Sequence, residues 1–389
     1  MRICDEEFAA RRAAFAAALG ERGLSGAVLF DPQYVHYYTG FFFIPTERPI
    51  AFAVSKDARG GMLVPRLELE HARANTAVSE IAHYDEYPGE QHPMEQLRGL
   101  LDGLGIRGSL GADADGYPWV FGYRGPGLGD WTHVAELVED QMAVKSAAEI
   151  ELLRESCKWA NLAHTLLQRY TRPGVSETEV ETRASTEANA AMLDAIGPVY
   201  RGQSPYYSGA MAGYRGQIGR NAAIPHAHGN NIVFQAGDVL VTGASAPVWG
   251  YHSELERTMV IGPPTDEQKR LFDHMLALQT LAVDTIRPGV PCAEVDRVVR
   301  AYYDAHDLWP HWRHHVGHAI GMRYHEGPFL DRGDATEIVP GMVFTVEPGL
   351  YSPSVGGFRH SDTVAVTEDG VEWLTYYPRD LEALTLSSR

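Results

Sequence analysis

The sequence has few cysteines, few basic residues relative to acidic ones, and no long apolar run. Only three cysteines occur in 389 residues. They are far apart and form no C-x-x-C pair, which argues against a disulfide framework or a zinc knuckle and fits a reducing cytoplasm. No stretch approaches the roughly 20 consecutive apolar residues of a membrane-spanning helix. We therefore predict a cytoplasmic protein that has no membrane partner.

Acidic side chains outnumber basic ones, with 51 Asp and Glu against 33 Lys and Arg and a formal net charge of -18. A field of this sign repels polyanions, so nucleic acid is not an expected partner. The N-terminus begins with acidic residues and continues as an Ala-rich amphipathic stretch. This pattern differs from a basic segment followed by an apolar run, and we predict no signal peptide.

The length is sufficient for two domains. The first part of the chain has the pattern of a mixed α/β unit, with predicted helices at residues 5–22, 67–74 and 93–104 and predicted strands at residues 27–30, 49–54 and 61–64. A long periodic helix is predicted to begin near Glu149 and to end near Tyr170. We place the domain boundary before it, and predict an N-terminal domain at residues 1–143 and a catalytic domain at residues 144–389.

The second part contains a short internal repeat, Arg-Pro-Gly-Val, at residues 172–175 and again at residues 287–290. Each copy follows a predicted helix and precedes another, and Pro with Gly ends the first helix of each pair. Ser176 with Glu179 has the capping-box spacing for the next helix. The repeat favours a duplicated α/β catalytic half. The alternative is that these four residues are a common helix-ending motif that occurs twice by chance.

Most of the chemically useful residues of the second half lie in five segments, at residues 221–228, 237–243, 250–258, 317–328 and 342–362. In order and spacing these segments resemble the signature segments of the methionine aminopeptidase, prolidase and creatinase superfamily, over roughly residues 145–375. The resemblance implies an α/β (α+β) protein with an N-terminal mixed α/β domain and a C-terminal pita-bread domain. Any one segment alone would be a weak signal, whereas five in order are a strong one.

The metallopeptidases of this superfamily hold two divalent ions with two Asp, one His and two Glu. On this resemblance His318 and Glu347 match the His and the first Glu, while Glu254 takes the place of the second Asp. Gly243 falls on the first Asp and Ser361 on the last Glu. Two adjacent dications need more anionic ligands than this set offers. We therefore expect no bound metal and no cofactor.

Other residues of these segments, together with Arg48, resemble the active-site residues of creatinase, the family's metal-free hydrolase. Glu256 and Glu347 match the two creatinase glutamates that bind the guanidinium-like group of the substrate, and His226 matches its catalytic histidine. Arg48 matches an arginine that reaches the substrate carboxylate across a dimer interface, which implies a homodimer. The predicted catalytic residues are His226, Glu256, Glu347, His318 and His325, and the predicted substrate-binding residues are Glu254, Arg48 and Ser361.

The first hypothesis is accordingly a metal-independent, creatinase-like hydrolase that cleaves a carbon–nitrogen bond in a small amidine-like or guanidinium-like substrate. Histidine as a residue type has a pKa near 6.5, which suits a proton relay between an attacking water and a leaving nitrogen, and this role is expected of His226. Charge-assisted hydrogen bonds from a cationic substrate to Glu256 and Glu347 would select it over a neutral amide.

Two other hypotheses stay open. One is an Xaa-Pro dipeptidase or aminopeptidase with a reduced site, in which a single metal is bound by Glu254, His318 and Glu347 and assisted by His325. Three protein ligands leave an open position on a catalytic ion. The other is a non-catalytic binding protein that kept the scaffold. On the simplest interpretation, His226 is a solvated loop residue and Glu256 pairs with Arg257.

Overall fold

Short apolar runs separated by turns form the sheet of the N-terminal half. The computed structural model describes residues 2–197 and 209–388. Its contacts divide the chain into two units, Arg2–Met142 and Ala143–Arg389. None of the helices in the described ranges is long and apolar enough to cross a bilayer.

The N-terminal unit is built around a six-stranded mixed sheet with the strand order β4-β3-β2-β1-β5-β6. Its strands are β1 (Gly26–Leu29), β2 (Ala51–Ser55), β3 (Gly60–Pro65), β4 (Glu80–Tyr84), β5 (Leu110–Ala112) and β6 (Thr132–His133). Its helices are α1 (Asp5–Glu21), α2 (Pro32–Thr39), α3 (Leu69–Asn75), α4 (Pro93–Gly103) and α5 (Ala135–Ala143). Side chains of α4 and of the central strands form one buried apolar cluster that includes Val28, Leu63 and Leu97. This mixed α/β arrangement is the one expected from the alternating runs.

Three of the four long helices described in the second unit begin at a side chain that accepts a hydrogen bond from a free backbone N–H group. The four helices are α6 (Ala147–Tyr170), α7 (Glu177–Ile196), α8 (Asp266–Thr285) and α9 (Cys292–Ala305). Ser146 and Glu149 form a complete capping box at the start of α6. Ser176 accepts the Glu179 N–H at the start of α7. The glycines of the two repeats, Gly174 and Gly289, both have positive φ, at 83° and 86°, a conformation that glycine adopts without steric cost.

Strands of the second unit form several small sheets around the site. They are β7 (Met211–Gly213), β8 (Val239–Val241), β9 (Gly243–Ser245), β10 (Thr258–Ile261), β11 (Gly317–Ala319), β12 (Glu326–Leu330), β13 (Val343–Val346), β14 (Gly349–Ser352), β15 (Gly356–Arg359), β16 (Asp362–Val366), β17 (Val371–Trp373) and β18 (Thr385–Leu386). The largest sheet has the order β12-β11-β13-β16-β17 and is antiparallel throughout.

The segment between β9 and β10 connects these sheets. Leu255 bridges Ala244 of β9, and Glu256 bridges Ser361, the residue just before β16. The Glu256 N–H donates to the Ser361 carbonyl at 3.0 Å, and the Ser361 N–H donates back to the Glu256 carbonyl at 3.1 Å. We call residues 256–257 and 361–362 the ladder. Because successive side chains along extended backbone point to opposite sides, the ladder has two chemically separate faces.

Candidate active site

Three potential metal ligands converge on one point in the second unit. Glu254 lies in the segment between β9 and β10, His318 lies on β11, and Glu347 follows the last residue of β13. One donor atom from each of the three lies within 4.8 Å of the other two. The backbone fixes the position of Glu347, whose N–H donates to the Val316 carbonyl at 2.7 Å. We call Glu254, His318 and Glu347 the triad.

The orientation of His318 suits a metal ligand. Its Nδ1 lies 2.9 Å from the Ala319 carbonyl oxygen, which can only accept, so Nδ1 carries the proton and donates. Its Nε2 is buried, has no hydrogen-bond partner among the described residues, and lies 3.2 Å from Glu347 Oε1. A carbonyl that fixes the tautomer and leaves the other nitrogen facing the site is the usual support of a metal-bound histidine.

Burial and close negative charges shift the pKa values of the triad in different directions. Burial, followed by the charges of Glu347 and Glu256, raises the pKa of Glu254 to about 8. Burial disfavours the His318 imidazolium, but the contact with Glu347 and its charge outweigh burial and raise the pKa of His318 to about 9. Burial also opposes ionisation of Glu347, yet His318 and the Arg359 guanidinium hold its pKa well below the usual range. A bound dication would favour the ionised form of both carboxyl groups.

A second cluster, next to the triad, joins Glu256 to two arginines. Arg359 donates from Nη2 to Glu256 Oε1 at 2.8 Å, and its Nε pairs with Oε2 of the same carboxylate. Arg215 donates from Nη2 to Glu256 Oε1, also at 2.8 Å. The Arg359 Nε lies 3.7 Å from Glu347 Oε2, so this guanidinium is next to the triad as well. We call Arg215, Glu256 and Arg359 the guanidinium cluster.

Both groups of residues adjoin a cavity of about 750 Å³, whose lining includes Arg215, Gly243, Glu254 and Glu256. This volume is sufficient for a small polar molecule. Arg215 is 49% exposed, and its backbone has a φ of 50°. A left-handed conformation is uncommon for a residue with a side chain and tends to mark functional sites.

The structure brings six of the eight predicted site residues together: Glu254, Glu256, His318, His325, Glu347 and Ser361. Ser361 is buried, and its hydroxyl donates to Glu254 Oε1 at 2.7 Å. His325 is exposed, and its ring stacks on that of His318 with 3.8 Å between the ring centroids. His226 is also exposed. Burial first, and then the charge of His318, lower the pKa of His325, and His226 adds a smaller effect in the same direction.

Arg48 lies in the N-terminal unit, between β1 and β2, and is partly exposed. Its Nε donates to Glu86 Oε1 at 2.6 Å, and its Nη1 donates to Glu47 Oε1 at 2.7 Å. The guanidinium is thus bound by two carboxylates of its own unit. Its role at a neighbouring subunit stays a prediction, as does the homodimer.

The sequence analysis did not select Arg215 or Arg359 as site residues. Arg359 precedes Ser361 by two positions on extended backbone, so the two side chains share a face. The alternation of side chains along this strand could therefore have identified Arg359 as a site residue. Arg215 has no comparable signal, because its contact with Glu256 depends on a left-handed backbone and on the packing of distant segments.

The sequence profile described as "Metallopeptidase family M24" matches residues 151–368, and that of the "Creatinase/Prolidase N-terminal domain" matches residues 11–154. The M24 profile covers more than half of the chain and includes the triad and the guanidinium cluster. A two-unit α/β protein with this site is a pita-bread hydrolase, and the chain belongs to metallopeptidase family M24. The expected fold and superfamily are thereby confirmed.

Several relatives are similar over most of their length. An "Xaa-Pro dipeptidase" of Pyrococcus furiosus is 26% identical to this chain, and the match covers 93% of this chain and 97% of the relative. An "Xaa-Pro dipeptidase" of Pyrococcus horikoshii is 28% identical, and the match covers 82% of this chain and 85% of the relative. Among solved structures, "Xaa-Pro dipeptidase from Bacillus anthracis" is 26% identical, covers 98% of this chain and 100% of that one, and superposes with a TM-score of 0.81.

These relatives overturn the first hypothesis. They are named as dipeptidases, which makes the metal-independent, creatinase-like hydrolase of an amidine-like or guanidinium-like substrate wrong and favours the dipeptidase alternative. The structure gives a physical reason for the correction. Glu256, expected to bind the cationic group of a substrate, is already neutralised by Arg215 and Arg359, and Glu347 contacts His318 and Arg359. What stands from that hypothesis is that the chain is a hydrolase.

Proposed function

We propose that this protein is a dipeptidase of the Xaa-Pro type that works with a single divalent ion. The observation that supports the proposal is the convergence of the triad, whose donor atoms lie within 4.8 Å of one another beside a cavity of about 750 Å³. The names of the relatives favour the substrate class, since several are Xaa-Pro dipeptidases that match most of the chain.

The donors of the triad fit one ion. Two carboxylates and one imidazole suit divalent ions such as zinc, manganese or iron, and three protein ligands leave coordination positions open. An ion held there would supply an acidified water and would polarise the scissile carbonyl group. This proposal replaces the expectation of a site without metal.

Arg215 is placed to bind the carboxylate of a dipeptide. It lines the cavity and is 49% exposed. Its Nη2 donates hydrogen bonds to Gln217 Oε1 and Glu256 Oε1. Guanidinium groups bind carboxylates with strong, directional hydrogen bonds. A dipeptide bound in this way would lie in the cavity with its peptide bond towards the triad.

His325 is placed to move a proton. Its exposed ring stacks on His318 at the edge of the triad, where it can reach the leaving nitrogen of a bound peptide directly or through a water. Proton transfer by a positioned histidine typically contributes about 10² to 10⁴ in rate. His226 is the alternative proton carrier, and the variants His325→Ala and His226→Ala separate the two roles by their kcat values.

The test is an assay of the purified full chain with a panel of Xaa-Pro dipeptides, after exhaustive chelation and again after addition of one metal at a time. We expect no turnover after chelation and recovery with one ion per chain. Glu254→Gln, which removes a triad charge at nearly constant shape, should not recover. His133→Ala is the matched control, because His133 is exposed in the N-terminal unit.

Two results would contradict the proposal. Turnover that persists in protein shown by elemental analysis to be metal-free would exclude an essential ion. The absence of turnover of every Xaa-Pro dipeptide with every metal tried would exclude the substrate class.

A further inference from the structure

We propose that the Arg359 guanidinium, held by Glu256, occupies the place of the second cation of a two-ion site, so that this protein binds no more than one divalent ion. The inference rests on the proposed function for the first ion only. It concerns the residues next to the triad, where the two-ion arrangement of the superfamily needs two further carboxylates and this chain has Gly243 and Ser361.

Gly243 leaves space where a ligand would stand. It lies on β9 and lines the cavity beside Glu254, and it is not among the glycines with positive φ. A Cβ atom built on it meets one neighbour within 4 Å, Glu256 Oε1 at 3.6 Å, which is an ordinary van der Waals distance. The backbone therefore does not require glycine here. The carboxylate of Glu256 reaches the place that a longer side chain at position 243 would occupy.

Glu256 does not act as the missing ligand, because its oxygens are already bound. Oε1 accepts hydrogen bonds from Nη2 of Arg359 and Nη2 of Arg215, each at 2.8 Å, and Oε2 pairs with Nε of Arg359. The carboxylate is 5% exposed, and Arg359 is 4% exposed. A dication at this carboxylate would have to displace the buried guanidinium of Arg359 and the half-exposed one of Arg215. Both guanidinium groups repel a dication at close range.

Ser361 replaces the other carboxylate with a neutral group. Its buried hydroxyl donates a hydrogen bond to Glu254 Oε1 at 2.7 Å. A hydroxyl used as a donor adds no negative charge, and hard divalent ions are held chiefly by anionic or carbonyl oxygens. The position that matches the last Glu of the superfamily's ligand set is therefore occupied by a neutral group that supports Glu254.

The charges of the site agree with a single ion. Glu254, Glu256 and Glu347 provide three negative charges when ionised, and Arg215 and Arg359 provide two positive ones. With His318 neutral as a ligand, one net negative charge remains, and one dication more than compensates it. A second dication would leave an excess of three positive charges in a largely buried site, which is strongly unfavourable.

The test counts ions in the full chain by elemental analysis after equilibration with excess Mn²⁺ and removal of free ion, and measures affinities by calorimetric titration. Wild type and Arg359→Lys, which retains the positive charge, should bind no more than one ion. Arg359→Met removes the charge and keeps an unbranched side chain. We expect it to bind one ion more than wild type, at an affinity at least tenfold above any second binding event of wild type.

Arg359→Gln is the second variant, used if Arg359→Met does not fold. It also removes the positive charge next to Glu256, and it too should raise the count by one. Two ions per chain in wild type overturn the proposal, and so does an unchanged count in whichever variant folds. A count of zero in wild type would contradict the proposed dipeptidase function and leave this inference standing, so the two failures are distinguishable.

Discussion

The two faces of the ladder contain the same kinds of residue and differ in how completely they are bonded. On the core face, Arg257 and Asp362 are both buried and pair at 2.8 Å. All five N–H groups of the Arg257 guanidinium are available as donors, and five hydrogen bonds use them, to Asp362 Oδ1 and to the carbonyls of Glu256, Ser361, Tyr377 and Pro378. Asp362 also accepts from Thr375 and Gln279.

The cavity face, one residue away along each strand, presents Glu256 and Ser361. The carboxylates on this face differ in how many positively charged groups they contact. Glu256 is bound by two guanidinium groups, whereas burial and neighbouring negative charges raise the pKa of Glu254 to about 8. His318 Nε2 faces the same region, and its nearest acceptor is Glu347 Oε1 at 3.2 Å.

The difference shows how one ladder serves two purposes. A fully bonded buried ion pair is closed to ligands and fixes the register of its strands, whereas a group of charges with unused acceptors gains from a cation that binds there. The predictions below separate the two faces, because variants of the core face should change stability and variants of the cavity face should change binding.

The largest effect on stability is expected from Asp362→Asn. The change removes the charge opposite a fully buried guanidinium, and breaking a buried pair by removing one partner typically costs about 3 to 5 kcal/mol. The free energy of unfolding should fall by this amount in equilibrium urea titrations. A loss below about 1 kcal/mol would mean that the carbonyl partners alone hold Arg257.

The control for this variant is Asp266→Asn. Asp266 forms an exposed pair with Lys269 at 3.4 Å in the first turn of α8. Exposed pairs contribute about 1 kcal/mol or less, so the control should change the free energy of unfolding by no more than that.

The largest effect on binding is expected from His318→Ala, on the cavity side. Loss of groups that only support a ligand lowers metal affinity by about 10- to 100-fold, and loss of the imidazole ligand itself should exceed that range. Calorimetric titration with Mn²⁺ measures the affinity, with His133→Ala as the control. An affinity within threefold of wild type would show that the ion is held elsewhere.

Arg215→Ala should have a smaller effect, confined to substrate binding. Hydrogen bonds to charged groups contribute about 1.5 to 3 kcal/mol, which corresponds to a rise in KM for Xaa-Pro dipeptides of about 10- to 100-fold at nearly constant kcat. Arg220→Ala is the matched control, because Arg220 is an exposed arginine five residues away. Equal KM values for the two variants would remove Arg215 from the substrate site.

The fold could be predicted from the sequence wherever local signals decide the structure. The helix predicted over residues 93–104 is Pro93–Gly103, and the strand predicted over residues 61–64 lies within Gly60–Pro65, because period and turn residues act over short distances. Ser176 bonds the Glu179 N–H as the capping pattern predicted. The division of the second unit into several small sheets was not predicted, since strand pairing depends on contacts between distant segments.

The sequence pointed to the residues that converge in the site but not to their charge balance. The resemblance of five segments to the superfamily was sufficient to select Glu254, His318 and Glu347, which the structure brings together. It was not sufficient to show that Glu256 is neutralised by Arg215 and Arg359, because those pairs join residues 41 and 103 positions apart. A carboxylate that the sequence presented as a free substrate ligand is bound within the fold, and this led to the wrong substrate class.

The smallest effect on the free energy of unfolding is expected from Ser361→Ala. This variant is informative when it is compared with Thr375→Val on the other face of the ladder. Each change deletes one hydroxyl donor to a carboxylate: Ser361 to Glu254 at 2.7 Å, and Thr375 to Asp362 at 2.6 Å. Water from the cavity can replace the first donor, so the free energy of unfolding should fall by only about 0.5 to 1 kcal/mol. The second carboxylate, that of Asp362, is closed to water. Loss of its Thr375 donor should therefore lower the free energy of unfolding by about 1.5 to 3 kcal/mol. Equal losses in parallel urea titrations would mean that the cavity face is as closed to solvent as the core.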